Sequence, residues 1–115
     1  MGKSVIKCAA TVTKYGNSLT LYRMGNLRVL RVDGIHPGSI TLNEIDRPYE
    51  TIRASAVVNS SDGNLYGCLG RIHLQTNGTL QYYCAPTYHA GNAGYSYLGS
   101  GDCIVGTLTW IVSQS

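Results

Sequence analysis

Five of the nine tyrosines in this 115-residue chain, Tyr82, Tyr83, Tyr88, Tyr95 and Tyr97, fall between positions 82 and 97, with His89, Asn92 and Asp102 close by. A tyrosine offers a flat aromatic face and one hydroxyl, with only two side-chain torsions to freeze, so it suits recognition. An aromatic face packs on the C–H side of a sugar ring, and Asn, Asp and His side chains hydrogen-bond its hydroxyls. Tyr83, Tyr88, His89, Asn92, Tyr95, Tyr97 and Asp102 are therefore the candidate ligand-binding residues. The stretch APTYHAGNAGYSYLGSG, residues 85–101, carries no Asp, Glu, Lys or Arg and is otherwise made of small residues that let a backbone approach a ligand closely. Neighbours in a strand point to opposite faces, so at most one of Tyr82 and Tyr83 reaches any one surface. The same tyrosines would equally suit a subunit interface, because aromatics are enriched there as well as in ligand sites.

No other constellation points to covalent chemistry. The six acids are scattered, and Asp33, Asp62 and Asp102 adjoin glycines where turn-forming hydrogen bonds favour Asp. A glycosidase would need two carboxylates facing one bond, and nothing pairs them here. His36, His73 and His89 show no metal-ligand spacing. His73 stands between Ile72 and Leu74 and should face the other side of its strand from them, as a satisfied strand histidine. Cys8, Cys68, Cys84 and Cys103 form no C-x-x-C pair, so neither zinc nor any other metal is expected. Four reduced thiols acting as small core side chains are the expectation; an oxidising medium would leave three disulfide connectivities open. No P-loop, dinucleotide or G-x-S-x-G motif occurs. We expect no enzyme activity and no cofactor.

The elements that must carry these residues read as short strands between turns. Strands are expected at Ser4–Thr13, Leu19–Arg23, Leu27–Val32, Thr51–Val58, Leu65–Gln75, Thr79–Cys84 and Cys103–Val112. Met24-Gly-Asn26 predicts a tight hairpin turn. Thr76-Asn-Gly78 predicts another, of type I′, because Asn-Gly tolerates positive φ. Tyr15–Ser18, Asp33-Gly34 and His36–Gly38 read as breaks, and Ile40–Glu50 as a connector. Gly67 and Gly70 inside a strand suggest bulges or close backbone approach. Leu108, Trp110 and Val112 share one face, so Trp110 belongs in the core. No helical period appears. The fold class is all-β: a single antiparallel β-sandwich, jelly-roll-like, over 15–115, with 1–14 as an N-terminal strand or connecting arm.

Composition narrows the setting. Hydrophobic residues make up 43% and charged residues 13%, about half the usual ~25% for charged residues. Surfaces built from Thr, Ser, Asn, Gln, Tyr and Gly suit sugar binding or packing in a larger assembly. The net charge is +3, and eight of the nine Lys and Arg fall within residues 1–53 without forming a run, which argues against nucleic acid as the partner. No apolar run approaches the ~20 residues of a membrane span, and MGKSVIKCAATVTKYGNS has no uninterrupted apolar region of a signal peptide.

The order of motifs resembles a known group. GNSLTLYRMGNLRVLRVDGI, then the connector Asp46-Arg47-Pro48-Tyr49, a strand, a polar turn, a strand, the turn Thr76–Leu80 and a closing strand with Trp110 resemble the small β-sandwich receptor-binding domains at the tips of bacteriophage tail fibres and baseplates. The chain departs from the usual pattern in lacking an L-P-x-G-Y-R-P connector and in holding four cysteines. The resemblance covers roughly residues 15–112. It implies a jelly-roll-like homotrimer in the virion, at the tail tip, made in the host cytoplasm. Its partners would be a host cell-surface saccharide or protein and other tail proteins, and several copies would raise avidity. The alternative is a structural virion subunit, for capsid decoration or the baseplate, whose tyrosines pack against neighbours.

Overall fold

The computed structural model describes residues 10–35, 40–59, 68–84, 96–97 and 102–112, without the side chains of residues 35, 68, 96 and 97. The elements are β1 (Thr11–Tyr15), β2 (Leu19–Met24), β3 (Leu27–Ile35), a 3₁₀ turn (Glu44–Asp46), β4 (Ile52–Asn59), β5 (Cys68–Leu74), β6 (Leu80–Cys84), β7 (Ser96–Tyr97) and β8 (Cys103–Ile111). All pairings are antiparallel, so the expected all-β class is the observed one. The eight strands form one hydrogen-bonded series, β1-β2-β3-β8-β4-β5-β6-β7. Two separately hydrogen-bonded sheets, as in a sandwich or jelly roll, do not occur among the described residues.

A flat sheet with no second layer would leave both faces wet. Here Leu21, Leu30, Val32, Val58, Ile72, Leu74 and Ile104 are fully buried and belong to one cluster that runs from β2 to β6. The sheet must therefore curl over its own inner face, so that one sheet does the work of two. Ile72 on β5 reaches across the small residues of β4, and a Cβ on Gly106 of β8 would stand 3.0 Å from its Cδ1. Each fully buried Leu, Ile or Val in the cluster stabilises the fold by about 1.5–3 kcal/mol relative to exposure.

The alternation in the sequence sets the faces. On β4, whose pattern is half-buried or buried at 52, 54, 56 and 58, residues 53, 55 and 57 are exposed. On β8, Ile104, Leu108 and Trp110 are buried while Val105, Thr107 and Thr109 are exposed. Trp110 lies in the core as expected, 4% exposed.

Several boundaries differ from the expectation. Tyr15 ends strand β1 instead of beginning a turn, because Tyr15 pairs with Leu19 and its ring packs on the core. Asp33 and Gly34 continue β3, opposite Val105 and Ile104, instead of breaking it. The backbone N–H of Asp33 also donates to the Ser18 carbonyl at 2.8 Å. The Thr76–Gly78 turn is not type I′, because Asn77 does not have positive φ. The Gly78 N–H donates to the Gln75 carbonyl at 2.9 Å, and the Gln75 N–H to the Thr79 carbonyl at 2.9 Å. That is a three-residue loop, with a type I turn followed by a left-handed glycine at φ 88°. The left-handed step matters because a Cβ on Gly78 would meet the Leu42 carbonyl oxygen at 2.8 Å. The Met24–Leu27 hairpin is as expected, with positive φ at Gly25 alone, the type II′ pattern.

The connector between β3 and β4 closes one end of the curled sheet. Leu42 is buried, and its N–H donates to the Gly78 carbonyl at 2.9 Å, while Thr41 bridges to Thr79. The 3₁₀ turn then inserts Asp46, which has no solvent exposure, beneath the β2–β3 hairpin. Asp46 Oδ1 accepts from Arg23 Nε and Arg28 Nε, each at 2.7 Å, and Oδ2 accepts from Arg23 Nη2 at 2.6 Å. The indole N–H of Trp110 donates to the Asp46 carbonyl at 2.8 Å. Arg28, itself 7% exposed, also donates to the Gly25 and Leu27 carbonyls. One buried aspartate, through its carboxylate and its backbone carbonyl, thus ties β2, β3, β8 and the connector together. Burial alone would raise the Asp46 pKa, but hydrogen bonds from Arg23 and Arg28 outweigh it and hold the carboxyl below its ordinary value.

Candidate functional site

The sheet has two ends. The hairpin turns at Gly25 and Gly78 and the connector lie at one. At the other lie the ends of β3, β4 and β6 and the starts of β5, β7 and β8, since Cys103 pairs with both Ile35 and Asn59, and Cys84 with Ser96. The candidate ligand residues map to this second end. Tyr88, His89, Asn92 and Tyr95 lie outside the described residues. Tyr97 pairs in register with Tyr83 on the short strand β7, so the tyrosine-rich stretch adds a strand to the sheet. Asp102, half-buried, immediately precedes β8.

Tyr82 and Tyr83 divide between the faces as their adjacency requires. Tyr82 is in the core, 3% exposed, and burial pushes its hydroxyl pKa up. Tyr83 is half-buried on the outer face. Its ring stands 4.7 Å from the His73 ring, tilted by 48°, and its hydroxyl donates to Gln81 Oε1 at 2.9 Å. Gln81 Oε1 also accepts from Gln75 Nε2 at 2.8 Å. Tyr83 is thus held in place by its neighbours before any ligand arrives, which lowers the cost of ordering it on binding.

Gly70 explains how β6 comes so close. It lies between Ala56 and Cys84 in register, and a Cβ there would stand 2.5 Å from Val58 Cγ2 and 2.8 Å from the Tyr83 carbonyl oxygen. The close backbone approach expected of an interior glycine is present; Gly67 lies outside the described residues. Cys84 packs as a fully buried core side chain and Cys103 is half-buried. Cys8 and the Cys68 side chain lie outside the described residues.

The sequence did not reveal what stands beside Tyr83. Antiparallel register puts Arg53 opposite His73, and Arg71 opposite both Ser55 and Tyr83. Arg53, Ser55 and Arg71 line a shallow cleft of about 280 Å³ on the outer face. His73 faces away from Ile72 and Leu74, as expected, but it is not a satisfied histidine. Its Nε2 is buried and makes no hydrogen bond among the described residues. Burial, then the charges of Arg53 and Arg71, lower its pKa below 6.5. Lone arginines in separate strands gave no signal in the sequence, because only the register makes them neighbours.

Two apolar features lie elsewhere. Val105, Val57 and Leu69 form a cross-strand row on the outer face, 41%, 47% and 56% exposed. At the connector end, Leu27, Pro48, Tyr49, Ile52, Trp110 and Ile111 line a hollow of about 460 Å³, with Tyr49 and Ile111 largely exposed. No helix of the described residues is long and apolar enough to cross a membrane, and no group of three or more metal-ligating side chains occurs among them. In comparisons with known proteins, no family model, no curated protein and no solved structure matches the chain.

Proposed function

We propose that the chain is a receptor-binding domain at the tip of a bacteriophage tail fibre or baseplate, recognising a saccharide on the host cell surface. The observation that carries this reading is the pre-ordered outer-face cluster of Tyr83, His73 and Gln81, set on a rigid sheet beside the β6–β7 connection. A rigid scaffold presenting aromatic and polar side chains next to variable loops is how binding modules combine fixed geometry with adaptable contacts. In this reading Tyr88, His89, Asn92, Tyr95, Tyr97 and Asp102 contribute to the same surface. The partners are the host glycan, further copies of the chain in a homotrimer, and other tail proteins; the location is the virion.

The test is binding of the fluorescently labelled chain to host cells and to a glycan array. Tyr88→Ala with Tyr95→Ala, and separately Tyr83→Ala, should abolish binding while leaving the urea midpoint near wild type for the Tyr88/Tyr95 pair. Retained binding in both would overturn the reading. A second reading, a structural virion subunit, is favoured by the exposed Val105–Val57–Leu69 row and the Tyr49 hollow, which suit burial against neighbours. A trimer by light scattering with glycan binding supports the first reading; assembly without any glycan binding supports the second.

A further inference from the structure

The outer face of β1, β2, β3 and β8 is apolar where a solvent-facing sheet would be polar. Register sets Val12 opposite Tyr22, and Tyr22 opposite Val29. One outward position further along the strands, Met24 stands opposite Leu27, and Leu27 opposite Ile111. Alternation turns these side chains outward, because their strand neighbours Leu21, Arg28, Leu30 and Trp110 are buried. Val12 is 52% exposed and Ile111 64%. The patch continues into the hollow of about 460 Å³, where Leu27 and Ile111 meet the exposed Tyr49. Its rim is polar, with Lys14, Thr20, Arg31 and Thr107 forming the adjoining row. An apolar centre inside a polar rim is the anatomy of a protein interface.

We propose that this patch is a two-fold contact between two copies of the chain. The proposal goes beyond the receptor reading and does not rest on it, and the contact is a different one from the three-fold contact of a homotrimer.

The charges beside the patch name the partner. Lys14 stands at its β1 side, on the same face as Val12, and Glu50 lines the hollow at its β8 side. Both are exposed, and neither makes a hydrogen bond or ion pair among the described residues. A patch flanked by one sign of charge calls for a partner of the other sign. This one carries a cation on one side and an anion on the other, so it is complementary to itself. A two-fold axis running along the strands, between β2 and β3, lays β1 of each copy over β8 of the other. Val12 then faces the hollow of the other copy, and the long Lys14 side chain reaches its Glu50. The symmetry makes both contacts twice, on either side of an apolar centre formed by Tyr22, Val29 and Leu27. In such an arrangement the buried centre supplies affinity, and the rim charges fix register and exclude wrong pairings. The Val105–Val57–Leu69 row lacks this signature, because the acid opposite Val105, Asp33, is already paired with Arg31.

The test is the mass of the full chain, by light scattering and sedimentation, as a function of concentration. The wild-type mass should double as concentration rises. Lys14→Glu and Glu50→Lys should each raise the concentration needed about tenfold or more, since each turns both attractions into repulsions. Both side chains are exposed, so the urea midpoint should not change, which separates lost association from lost folding. An equal mixture of the two variants should associate as wild type does, because each supplies the charge the other lacks; a mixture that stays apart overturns the two-fold contact. Ile111→Asp should abolish the doubling. A wild-type mass that never doubles up to about 1 mM overturns the proposal, as does a doubling that survives all three variants. Uptake of the chain by phosphatidylcholine vesicles, lost in Ile111→Asp and without any doubling, would overturn it in favour of a lipid surface. Host-cell binding is read separately: a chain that doubles but ignores host cells sinks the receptor reading and keeps this contact.

Discussion

Replacing Asp46 by Asn tests the account of how the connector is held. The substitution keeps the size of the side chain and leaves the backbone carbonyl that accepts from Trp110. It removes the charge from a carboxylate that two guanidiniums contact at 2.6–2.7 Å. Arg28, whose side chain is 8% exposed, is then left buried without a counter-charge; Arg23, at 17%, can reach water more easily. Breaking one partner of a buried ion pair costs about 3–5 kcal/mol, and Arg23's partial exposure argues for the lower half of that range. With a urea m-value of about 1.5 kcal/mol/M for a domain of this size, a loss of ~3 kcal/mol lowers the unfolding midpoint by about 2 M. Equilibrium urea unfolding followed by Trp110 fluorescence reads this directly, since the indole donates to the Asp46 carbonyl. Asp46→Leu combined with Arg23→Met and Arg28→Met should recover much of the loss, because the cost lies in the stranded cations and not in the missing bond. A fall below about 0.5 M for Asp46→Asn would refute the reasoning, showing that the carboxylate's desolvation cancels what its partners return.

Gly70→Ala should lower the melting temperature by about 4–12 °C, from an overpacking cost of about 1–3 kcal/mol, because the new Cβ meets Val58 and the Tyr83 carbonyl. If the proposed receptor reading holds, it should also weaken glycan binding by shifting Tyr83 and His73; an unchanged melting point measured by calorimetry would contradict the close approach of β5 and β6. In acid, the depressed Asp46 pKa makes its contribution fully present above the ordinary carboxyl value of about 4 and lost as pH falls through the lower folded value. His73, also depressed, adds stability above about 6.5 that fades as pH drops through its folded pKa. Urea midpoints from pH 3 to 8 should therefore rise in two steps, with Asp46→Asn removing the acid step and His73→Gln the one near neutrality.

The strands β2 to β6 and β8 follow from alternation, and their hairpins from Gly25 and Gly78, because period-2 burial and positive φ are local properties of the chain; the two-residue β7 gave no such signal. Local properties also made Trp110 a core residue and sent Tyr82 and Tyr83 to opposite faces. What the chain could not reveal locally was partnership. Asp46 looked like one acid in a connector, yet its partners stand 18, 23 and 64 positions away in sequence. Asp33-Gly34 looked like a break because that pairing is common in turns; β8 lying alongside kept it in the ladder. The two-sheet expectation met a single curled sheet, since strand patterning reports that one face is buried but not which strands fold over to bury it. Arg53, Arg71 and His73 carried no shared motif, and only the β4–β5 register gathered them beside Tyr83. The sequence by itself determined which residues turn inward and where the chain reverses, because those depend on neighbours within a few residues. The tertiary structure alone decided which charges meet, because hydrogen-bonded register joins residues whose separation along the chain leaves no trace in either one's surroundings.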